Sequence, residues 1–432
     1  MEPDVVELLA TLIRFPTENP PGNEAKAVRF AAGLLKEAGI EPKILAKDPA
    51  RPNLVARFPG RGQAPPLLVY GHLDVVPARG QRWSRDPFAG EVAEGFVWGR
   101  GALDMKGPVA IYLASLLAAH ASGELAGDVV LALVADEEAG GDYGARFLVE
   151  AHAELFAGIR HALGEFGAFT LHVAGKRFYP VMMAEKQIAW LRLVFRGPAG
   201  HGSLWTGGGA MSDLGAALVA LNRRPPPVHV TPVVQRMFEG LAEGLGGAKG
   251  ALLKFALRPR LTHRVLARLG EAGRVFLPLF GNTAAPTVVR GGEKINVVPE
   301  EAVLELDGRL LPGFAPKDLI EELKARTPVP FEAEVVRHDP GPREVDWALF
   351  PLLAQVLEEA DPGSKAIPLL LSGVTDGRHF ARLGIQTYGF TPMKLPEGFA
   401  FNRLIHAADE RIPVEALRFG VKTMRAFFRR YR

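Results

Sequence analysis

The chain has 432 residues and a formal net charge of +3, with 48% hydrophobic and 23% charged residues. These values are typical of globular proteins, and the length favours two domains or one domain with a large insertion. No dense block of Lys and Arg precedes the C-terminal FFRRYR, so nucleic acid is not an expected partner. The absence of cysteine excludes disulfides and thiolates, so any metal must be held by His, Asp and Glu.

The N-terminal segment MEPDVVELLATLIRF carries acidic residues where a secretory signal needs basic ones. Since no run of about 18 uncharged apolar residues follows, we expect no membrane partner, and a cytoplasmic enzyme is the default expectation. The segment itself predicts an amphipathic helix over about 5–15. A second predicted helix, NEAKAVRFAAGLLKEAG, ends on a glycine as helices often do.

Short apolar strands and helices alternate through the next part of the chain. The predicted strands are NLVARF, PLLVYG, DVVLALVA and HALGEF, and the main helix among them is MKGPVAIYLASLLAAH. This alternation is typical of an α/β/α domain built on a mostly parallel sheet. Strands and helices of the same style return near the C-terminus, so we assign residues 1–186 and 341–432 to one catalytic domain.

The pattern of predicted strands and helices is different between residues 187 and 340. Strand and helix patterns follow one another there in the order β-α-β-β-α-β, from QIAWLRLVFRG to FEAEVVRH. This order is that of a ferredoxin-like unit. An additional helical stretch of about residues 230–285 interrupts it, and we predict that these helices lie on the smaller domain.

Polar side chains follow several strands of the predicted parallel sheet, where sites form at the carboxyl ends. His72 and Asp74 follow PLLVYG and share a face if the backbone stays extended, so Asp74 could hold the imidazole from behind. Glu137 and Glu138 follow DVVLALVA. Two adjacent carboxylates resist burial unless a positive charge lies in front of them.

Three further residues extend this set. Asp104 precedes a helix, where an N-cap is the alternative interpretation. Glu165 lies in GEFG, and His406 lies in NRLIHAADE, where an ordinary histidine near a helix start is the alternative. The set could bind two divalent ions about 3.5 to 4 Å apart if one carboxylate bridges them. Zinc is the expected metal, with cobalt or manganese as alternatives.

The segments GHLDVVP, GRGALDMKG and DEEAGG, at these spacings, resemble those of the co-catalytic zinc peptidases and amidohydrolases. This family includes aminoacylases, acetylornithine deacetylase, succinyl-diaminopimelate desuccinylase and bacterial glutamate carboxypeptidases, and the resemblance covers essentially the full chain. It implies that Asp74 orients the first histidine and that Glu137 is the general base. It also implies two metal sites that share a ligand: Asp104 as the bridge, His72 and Glu165 at one ion, and Glu138 and His406 at the other.

The order of elements also resembles the family's two-domain plan, in which the smaller domain covers the cleft and mediates dimerisation. A homodimer is therefore expected. Further matches imply that His201 stabilises the oxyanion in the neighbouring subunit's site, while Asn296 and Arg309 contact the substrate, the arginine through its carboxylate. Without the resemblance, Arg309 would be interpreted as a surface strand residue. The loop SGVTDGRHF adds Gly373 and Thr375 as substrate-side candidates.

We therefore predict a di-zinc hydrolase that cleaves an amide bond near a free carboxylate, as a carboxypeptidase or dipeptidase does. A deacylase of N-acyl amino acids is the alternative, because both reactions need an amide beside a carboxylate and the site residues do not separate them. A binding protein that kept the fold without the chemistry is a remote alternative. The expected substrate is a small peptide or an N-acyl amino acid.

Overall fold

The computed structural model describes residues 3–342 and 344–432. Its helices are α1 (Val5–Ile13), α2 (Ala25–Glu37), α3 (Lys106–Ala121), α4 (Ala145–Ala151), α5 (Ala210–Arg223), α6 (Pro232–Leu245), α7 (Gly247–Ala256), α8 (Pro259–Arg268), α9 (Gly270–Phe276), α10 (Pro316–Arg326), α11 (Phe350–Ala360), α12 (Gly377–Phe380), α13 (Phe401–Leu404) and α14 (Val414–Arg430). Its strands are β1 (Lys43–Leu45), β2 (Asn53–Phe58), β3 (Leu67–His72), β4 (Glu91–Ala93), β5 (Phe96–Trp98), β6 (Val129–Val134), β7 (His161–Gly164), β8 (Leu171–Val173), β9 (Lys176–Glu185), β10 (Gln187–Arg196), β11 (Gly200–His201), β12 (Thr283–Gly291), β13 (Val297–Val298), β14 (Glu301–Leu310), β15 (Glu332–Asp339), β16 (Ser364–Leu371), β17 (Gln386–Gly389) and β18 (Arg411–Pro413).

The larger sheet combines strands from both ends of the chain, in the order β1-β2-β6-β3-β7-β17-β9-β16, with β8 beside β9. Its centre is parallel, because β6, β3, β7 and β17 pair in one direction, and β16 is parallel to β9. The pairs β1–β2, β2–β6 and β17–β9 are antiparallel. The predicted mixed α/β fold with a largely parallel sheet is confirmed.

Helices cover both faces of this sheet. Along β3, Leu67 and Val69 belong to a core shared with α1, α2, α3 and α14, whereas Leu68 and Tyr70 belong to a second core shared with α4 and α12. Successive strand residues point to opposite faces, so an apolar run supplies both cores at once. Although α3 is almost entirely buried, no helix in the described ranges combines the length and the apolar character needed to cross a membrane.

The smaller sheet has the strand order β12-β14-β10-β15, and its neighbouring strands are antiparallel. Along the chain, its elements follow in the order β10, α5, β12, β14, α10 and β15. Leu191, Leu193 and Phe195 of β10 form a separate core with apolar residues of α5, β14 and α10. The opposite face of this sheet therefore remains available to face the larger domain.

The inserted helices α6 to α9 do not lie where we predicted them. They occupy residues 232–276, within the expected range, but α6 packs on β9 and β16 of the larger sheet. A Cβ at Gly240 would approach Ile367 to 2.8 Å, and a Cβ at Gly244 would approach Phe178 to 2.5 Å. Two glycines four residues apart thus bring one helix face close to those strands. We placed these helices on the smaller domain because they lie within its part of the sequence, and that position does not show which sheet they pack on.

Candidate metal centre

Two groups of side chains that could hold metal ions meet at the carboxyl edge of the larger sheet. Within each group, the candidate ligand atoms all lie within 4.8 Å of one another. One carboxylate belongs to both groups, which are His72, Asp104 and Glu165, and Asp104, Glu138 and His406. The structure therefore places the five predicted metal ligands side by side, although they come from distant parts of the sequence.

Asp104 lies between the two histidines. Its Oδ1 lies 3.1 Å from His72 Nε2, and its Oδ2 lies 3.2 Å from His406 Nε2. Glu165 Oε2 lies 3.2 Å from the first histidine nitrogen, and Glu138 Oε1 lies 3.1 Å from the second. Each half of the site thus presents one imidazole nitrogen, one terminal carboxylate and one oxygen of a shared carboxylate. This donor set suits two divalent ions of the zinc, cobalt or manganese type.

The alternative interpretation of Asp104 as a helix N-cap is wrong. Helix α3 begins at Lys106, and its N-cap residue is Met105, where no side chain forms a capping hydrogen bond. The carboxylate of Asp104 instead contacts the two histidines, so its side chain serves the site and not the helix end.

His72 is oriented by a main-chain oxygen. Its Nδ1 lies 2.9 Å from the carbonyl oxygen of Asp74, whereas the Asp74 carboxylate is 3.6 Å away. A proton on Nδ1 donated to this carbonyl leaves Nε2 free to face Asp104 and Glu165 as a metal ligand. We predicted the Asp74 carboxylate behind the imidazole; in the structure it lies beside Nδ1, but the main-chain oxygen of the same residue is the closer partner.

The Asp74 carboxylate has a further role in the structure. It accepts hydrogen bonds from the main-chain N–H groups of Glu137 and Glu138, at 3.1 and 3.2 Å, and from Asn19 Nδ2 at 2.8 Å. Although burial opposes its ionisation, the contacts with His72 and these donors hold its pKa below the usual range. Asp74 therefore fixes the turn that carries both glutamates.

Glu410 holds the segment that carries Asp104, and the sequence analysis missed it. This buried carboxylate accepts hydrogen bonds from the main-chain N–H groups of Gly101, Leu103 and Asp104, and it forms a 2.8 Å ion pair with Arg100. It lies in NRLIHAADE, only four residues after His406. The sequence could have indicated Glu410 only through its place in the motif that was already selected for His406.

We expect Glu410→Ala to lower the free energy of unfolding by about 3–5 kcal/mol, because it leaves the buried Arg100 charge without its partner. Metal content should also fall, since the Asp104 segment loses three hydrogen bonds. Urea unfolding and zinc analysis of the purified variant measure both effects. Glu415→Ala, which removes an exposed carboxylate close by, is the control and should change neither. Unchanged stability of the Glu410 variant would contradict this role.

Carboxylates surround both histidines and favour their protonated forms in the absence of metal. Contacts with Asp104 and Glu138 raise the pKa of His406 to about 10. Burial works against a charge on His72, but its contacts with Asp104, Asp74 and Glu165 raise its pKa well above the usual value. A metal ion entering the site must displace these protons.

Zinc affinity should therefore increase with pH. Because the raised pKa values keep the histidines protonated at neutral pH, each displaced proton should strengthen apparent binding about tenfold per pH unit. Competition titrations with a chelating dye between about pH 6 and about pH 8 would measure this slope. A zinc affinity that does not change over this interval would contradict the protonated state that the contacts predict.

A cavity of about 460 Å³ opens in front of the candidate ligands. Its walls come from the carboxyl edge of the larger sheet, from α13 and from the smaller sheet. Glu137 lines it, as do three of the predicted substrate-side residues, Arg309, Gly373 and Thr375. The structure thus brings these four residues to one space with the candidate metal ligands.

His201 and Asn296 are not among the residues that line this cavity. Both are exposed: His201 is in β11, with its Nδ1 2.7 Å from Ser203 Oγ, and Asn296 precedes β13. The main-chain oxygen of Asn296 accepts a hydrogen bond from Gly202. Within one chain, these two residues therefore lie at the antiparallel strand pair β11–β13 and not at the site.

Residues of the smaller sheet that sequence reasoning missed complete the cavity. Ile188 and Trp190 of β10 and Arg337 of β15 line it together with Arg309 of β14. In the register of the sheet, Ile188 pairs with Arg309, and Trp190 pairs with Arg337. Alternation along each strand could have indicated this face, but no sequence pattern showed that the face lies against the metal ligands.

Arg378 is a further missed residue, and it is almost fully buried. Its Nη1 donates to the Thr375 main-chain oxygen at 2.7 Å, and its Nη2 donates to the Gly140 oxygen at 3.0 Å. The guanidinium also lies 4.0 Å from Glu137 Oε1. It therefore links the turn that follows Glu137 to the loop that carries Gly373 and Thr375.

Comparison with known proteins agrees with this geometry. The model of peptidase family M20/M25/M40 matches residues 68–430. The protein named "Probable carboxypeptidase S-like 2" of Dictyostelium discoideum is 25% identical over 81% of this chain and 68% of its own length. An N-fatty-acyl-amino acid synthase/hydrolase of Xenopus tropicalis is 28% identical over 83% of this chain and 70% of its own length.

Among solved structures, an M20 family metallo-carboxypeptidase from Sulfolobus solfataricus superposes with a TM-score of 0.66 at 18% identity, covering 99% of both chains. The fold and the clustered His and carboxylate residues define a hydrolase of the metallopeptidase type. The chain belongs to peptidase family M20/M25/M40.

Proposed function

We propose that this protein is a di-zinc hydrolase that cleaves an amide bond near a free carboxylate, as a carboxypeptidase or dipeptidase does. The observation that carries the proposal is the pair of ligand groups joined by Asp104, with Glu137 beside them in the same cavity. His72 and Glu165 would hold one ion together with Asp104, and Glu138 and His406 would hold the other. Bound there, divalent ions supply Lewis-acid activation of water and of the substrate carbonyl.

Glu137 is the proposed general base. It lines the cavity and is not needed in either ligand group, and burial together with the nearby Glu165 raises its pKa well above the usual value. A carboxyl group with a raised pKa accepts a proton from water more readily than an ordinary one. Glu137 would take this proton and deliver it to the nitrogen of the leaving group. Asp74 and Arg378 would keep its turn in place.

Arg309 is the proposed partner of the substrate carboxylate. Its Nε and Nη2 donate to Asp307 at 2.8 and 3.3 Å, so both N–H groups of Nη1 and the second N–H of Nη2 are left for a ligand. The predicted two-pronged contact can therefore form at the Nη1/Nη2 end of the guanidinium while the pair with Asp307 stays in place. Arg337 lies on the same wall with its Nε and Nη2 engaged by Asp339, and it supplies a second Nη1. The two arginines would together hold one carboxylate.

Hydrolysis of N-acyl amino acids is the second candidate. The cavity has apolar residues close to the metal ligands, and the 28% identical relative carries the name of an N-fatty-acyl-amino acid synthase/hydrolase. The carboxypeptidase S-like relative and the metallo-carboxypeptidase structure favour the first candidate. Both reactions use the same ligands, base and carboxylate partner.

A panel of dipeptides and N-acyl amino acids, assayed with the zinc-loaded protein, separates the two candidates. Release of a free amino acid from dipeptides supports the peptidase, and release from N-acyl amino acids alone supports the deacylase. Both activities should disappear with a chelator and return with zinc or cobalt. Absence of hydrolysis across the whole panel by protein of verified metal content would contradict the proposal.

A homodimer would give His201 a function. The segments next to the strand pair β11–β13 expose apolar side chains, including Leu204, Trp205 and Ile295. Exposed apolar patches of this kind often mark protein interfaces. We propose that the smaller domain acts as the lid and dimerisation domain, that His201 enters the neighbouring subunit's cavity to stabilise the oxyanion, and that Asn296 contacts the substrate.

Mixed dimers test this contribution. A His201→Ala chain and a Glu137→Ala chain should each form nearly inactive dimers, whereas a mixed dimer contains one site with both residues intact and should recover up to about half of the wild-type activity per dimer. Differently tagged chains, co-purified through both tags, provide the sample. Confirmed mixed dimers without any recovery would contradict the action of His201 across the interface.

A further inference from the structure

One wall of the cavity is apolar and adjoins the candidate metal ligands. We call this the apolar wall and define it by Met105, Phe166, Met393, Phe401 and Ile405, all of which line the cavity. Three of these residues are direct sequence neighbours of candidate ligands, because Met105 follows Asp104, Phe166 follows Glu165 and Ile405 precedes His406. The wall therefore begins where the chemistry takes place.

The residues of the apolar wall pack against one another. The Phe166 and Phe401 rings lie 6.4 Å apart, and Phe401 stacks on Phe169 at 4.0 Å. Phe169 forms an isolated bridge with Met393. All of the wall residues belong to the main hydrophobic core or pack against it. The wall is therefore a firm surface that extends from the core.

Thr391, a polar residue on the side of the apolar wall, has little hydrogen-bonding capacity left for a substrate. Thr391 also lines the cavity, but it is buried and its hydroxyl donates to the Gly167 main-chain oxygen at 2.8 Å. The positive groups that line the cavity lie elsewhere, with Arg309 and Arg337 on the smaller sheet and Arg378 in α12. The cavity thus combines a side that carries arginines with an apolar side that adjoins the candidate ligands. A molecule that fits both sides carries a carboxylate and a bulky apolar group.

We propose that the apolar wall is a subsite for a bulky apolar substituent on the substrate amide. The substituent is either a medium-length or long N-acyl chain or a large apolar side chain of a dipeptide. This inference rests on the proposed amide hydrolysis and adds the substrate class. Burial of apolar surface is favourable in proportion to its area, so the subsite should select for size and not for one particular shape.

The effect of size should be measurable in kcat/KM. Each methylene group buried against the wall should raise kcat/KM about fourfold, until the wall is fully covered. The zinc-loaded full chain is assayed with two series that share one C-terminal amino acid. The first varies the acyl group from acetyl through butanoyl and hexanoyl to octanoyl, and the second varies the N-terminal residue of a dipeptide from Gly through Ala and Leu to Phe.

Binding provides a second readout that needs no turnover. The zinc-loaded Glu137→Gln protein, in which the proposed base is neutral, is titrated with the same compounds by calorimetry. Affinity should increase along at least one series in parallel with kcat/KM. A rise in the acyl series alone identifies an acyl chain as the occupant, and a rise in the dipeptide series alone identifies a side chain. Either result supports the subsite.

Phe401 is the residue to change. Phe401→Ala should reduce the advantage of octanoyl over acetyl by about tenfold or more, because the long chain loses its contact surface. Phe401→Trp keeps the site packed and should move the optimum to shorter groups, so the test remains valid if the alanine variant is unstable. Phe399→Ala is the matched control. Phe399 lies two residues before Phe401, stacks on Phe96 and does not line the cavity.

The possible failures are distinguishable. Hydrolysis of acetyl or glycyl compounds at the same rate as the bulky ones, with flat affinities, would overturn the apolar subsite and leave the proposed function intact. An unchanged size preference in both Phe401 variants would also overturn it. Absence of hydrolysis and of binding in both series would overturn the proposed function and the subsite together.

Discussion

The Glu137→Gln protein should retain both zinc ions and lose activity by about 10²- to 10⁴-fold, the range typical for removal of a general acid–base group. Glutamine keeps the size of the side chain and its place beside Arg378, but it cannot accept a proton from water. Neither candidate ligand group needs Glu137, so the metal should stay. Steady-state kinetics combined with metal analysis of the same preparation measures both quantities.

Glu138→Gln is the matched control for this experiment. The two glutamates are neighbours on one turn, and Asp74 accepts a hydrogen bond from the main-chain N–H of each. Glu138 nevertheless lies 3.1 Å from His406 in a candidate ligand group, so its substitution should weaken zinc binding first. Excess zinc should then restore activity to the Glu138 variant and not to the Glu137 variant. Equal rescue of both would contradict the division of roles.

Replacing Asp104 by alanine should weaken zinc binding more than about 100-fold. Partners that only hydrogen-bond to a ligand already contribute about 10- to 100-fold to metal affinity, and Asp104 belongs to both candidate ligand groups. Its loss leaves one histidine and one glutamate on each side, two donors fewer than a four-coordinate zinc site requires. Zinc titration of the variant, followed with a competing chelator, gives the loss directly.

Asp142→Ala provides the control for the Asp104 variant, because this carboxylate lies in a loop near Glu138 and is half exposed. It should bind zinc as the unchanged protein does. Full occupancy by two tightly bound ions in Asp104→Ala would contradict the bridging assignment. Loss of only one ion would mean that Asp104 serves a single ion.

The candidate residues that lie together in the structure were selected from the sequence because they follow a simple physical pattern. A polar residue directly after an apolar strand lies at the sheet edge, where His72, Glu138 and Glu165 meet. Asp74 was identified for the same reason. Which of its oxygen atoms contacts the imidazole could not be predicted, because that depends on backbone geometry within two residues. The same pattern does not identify Glu410, because its hydrogen bond to the Asp104 segment joins residues that are 306 positions apart in the sequence.

The sequence was sufficient to predict the sheets of the fold. It was not sufficient to predict where the inserted helices pack. Alternating strands and helices predicted the larger sheet, whose apolar strands supply both of its cores. The helices α6 to α9 were placed on the wrong domain because a helical pattern identifies an apolar face but not its partner. Gly240 and Gly244 mark the close contact in the structure, yet glycines in a helix have several possible causes.

The measurement that tests the central claim most directly is zinc titration of the metal-free protein with activity followed at every step. If one carboxylate bridges two ions and both are required for amide hydrolysis, the metal-free protein should be inactive. Activity should then reach a plateau at two equivalents of zinc per chain. The substrate should be a dipeptide or an N-acyl amino acid that the loaded protein cleaves. Full activity in protein with no detectable metal, or a plateau at one equivalent, would contradict the account.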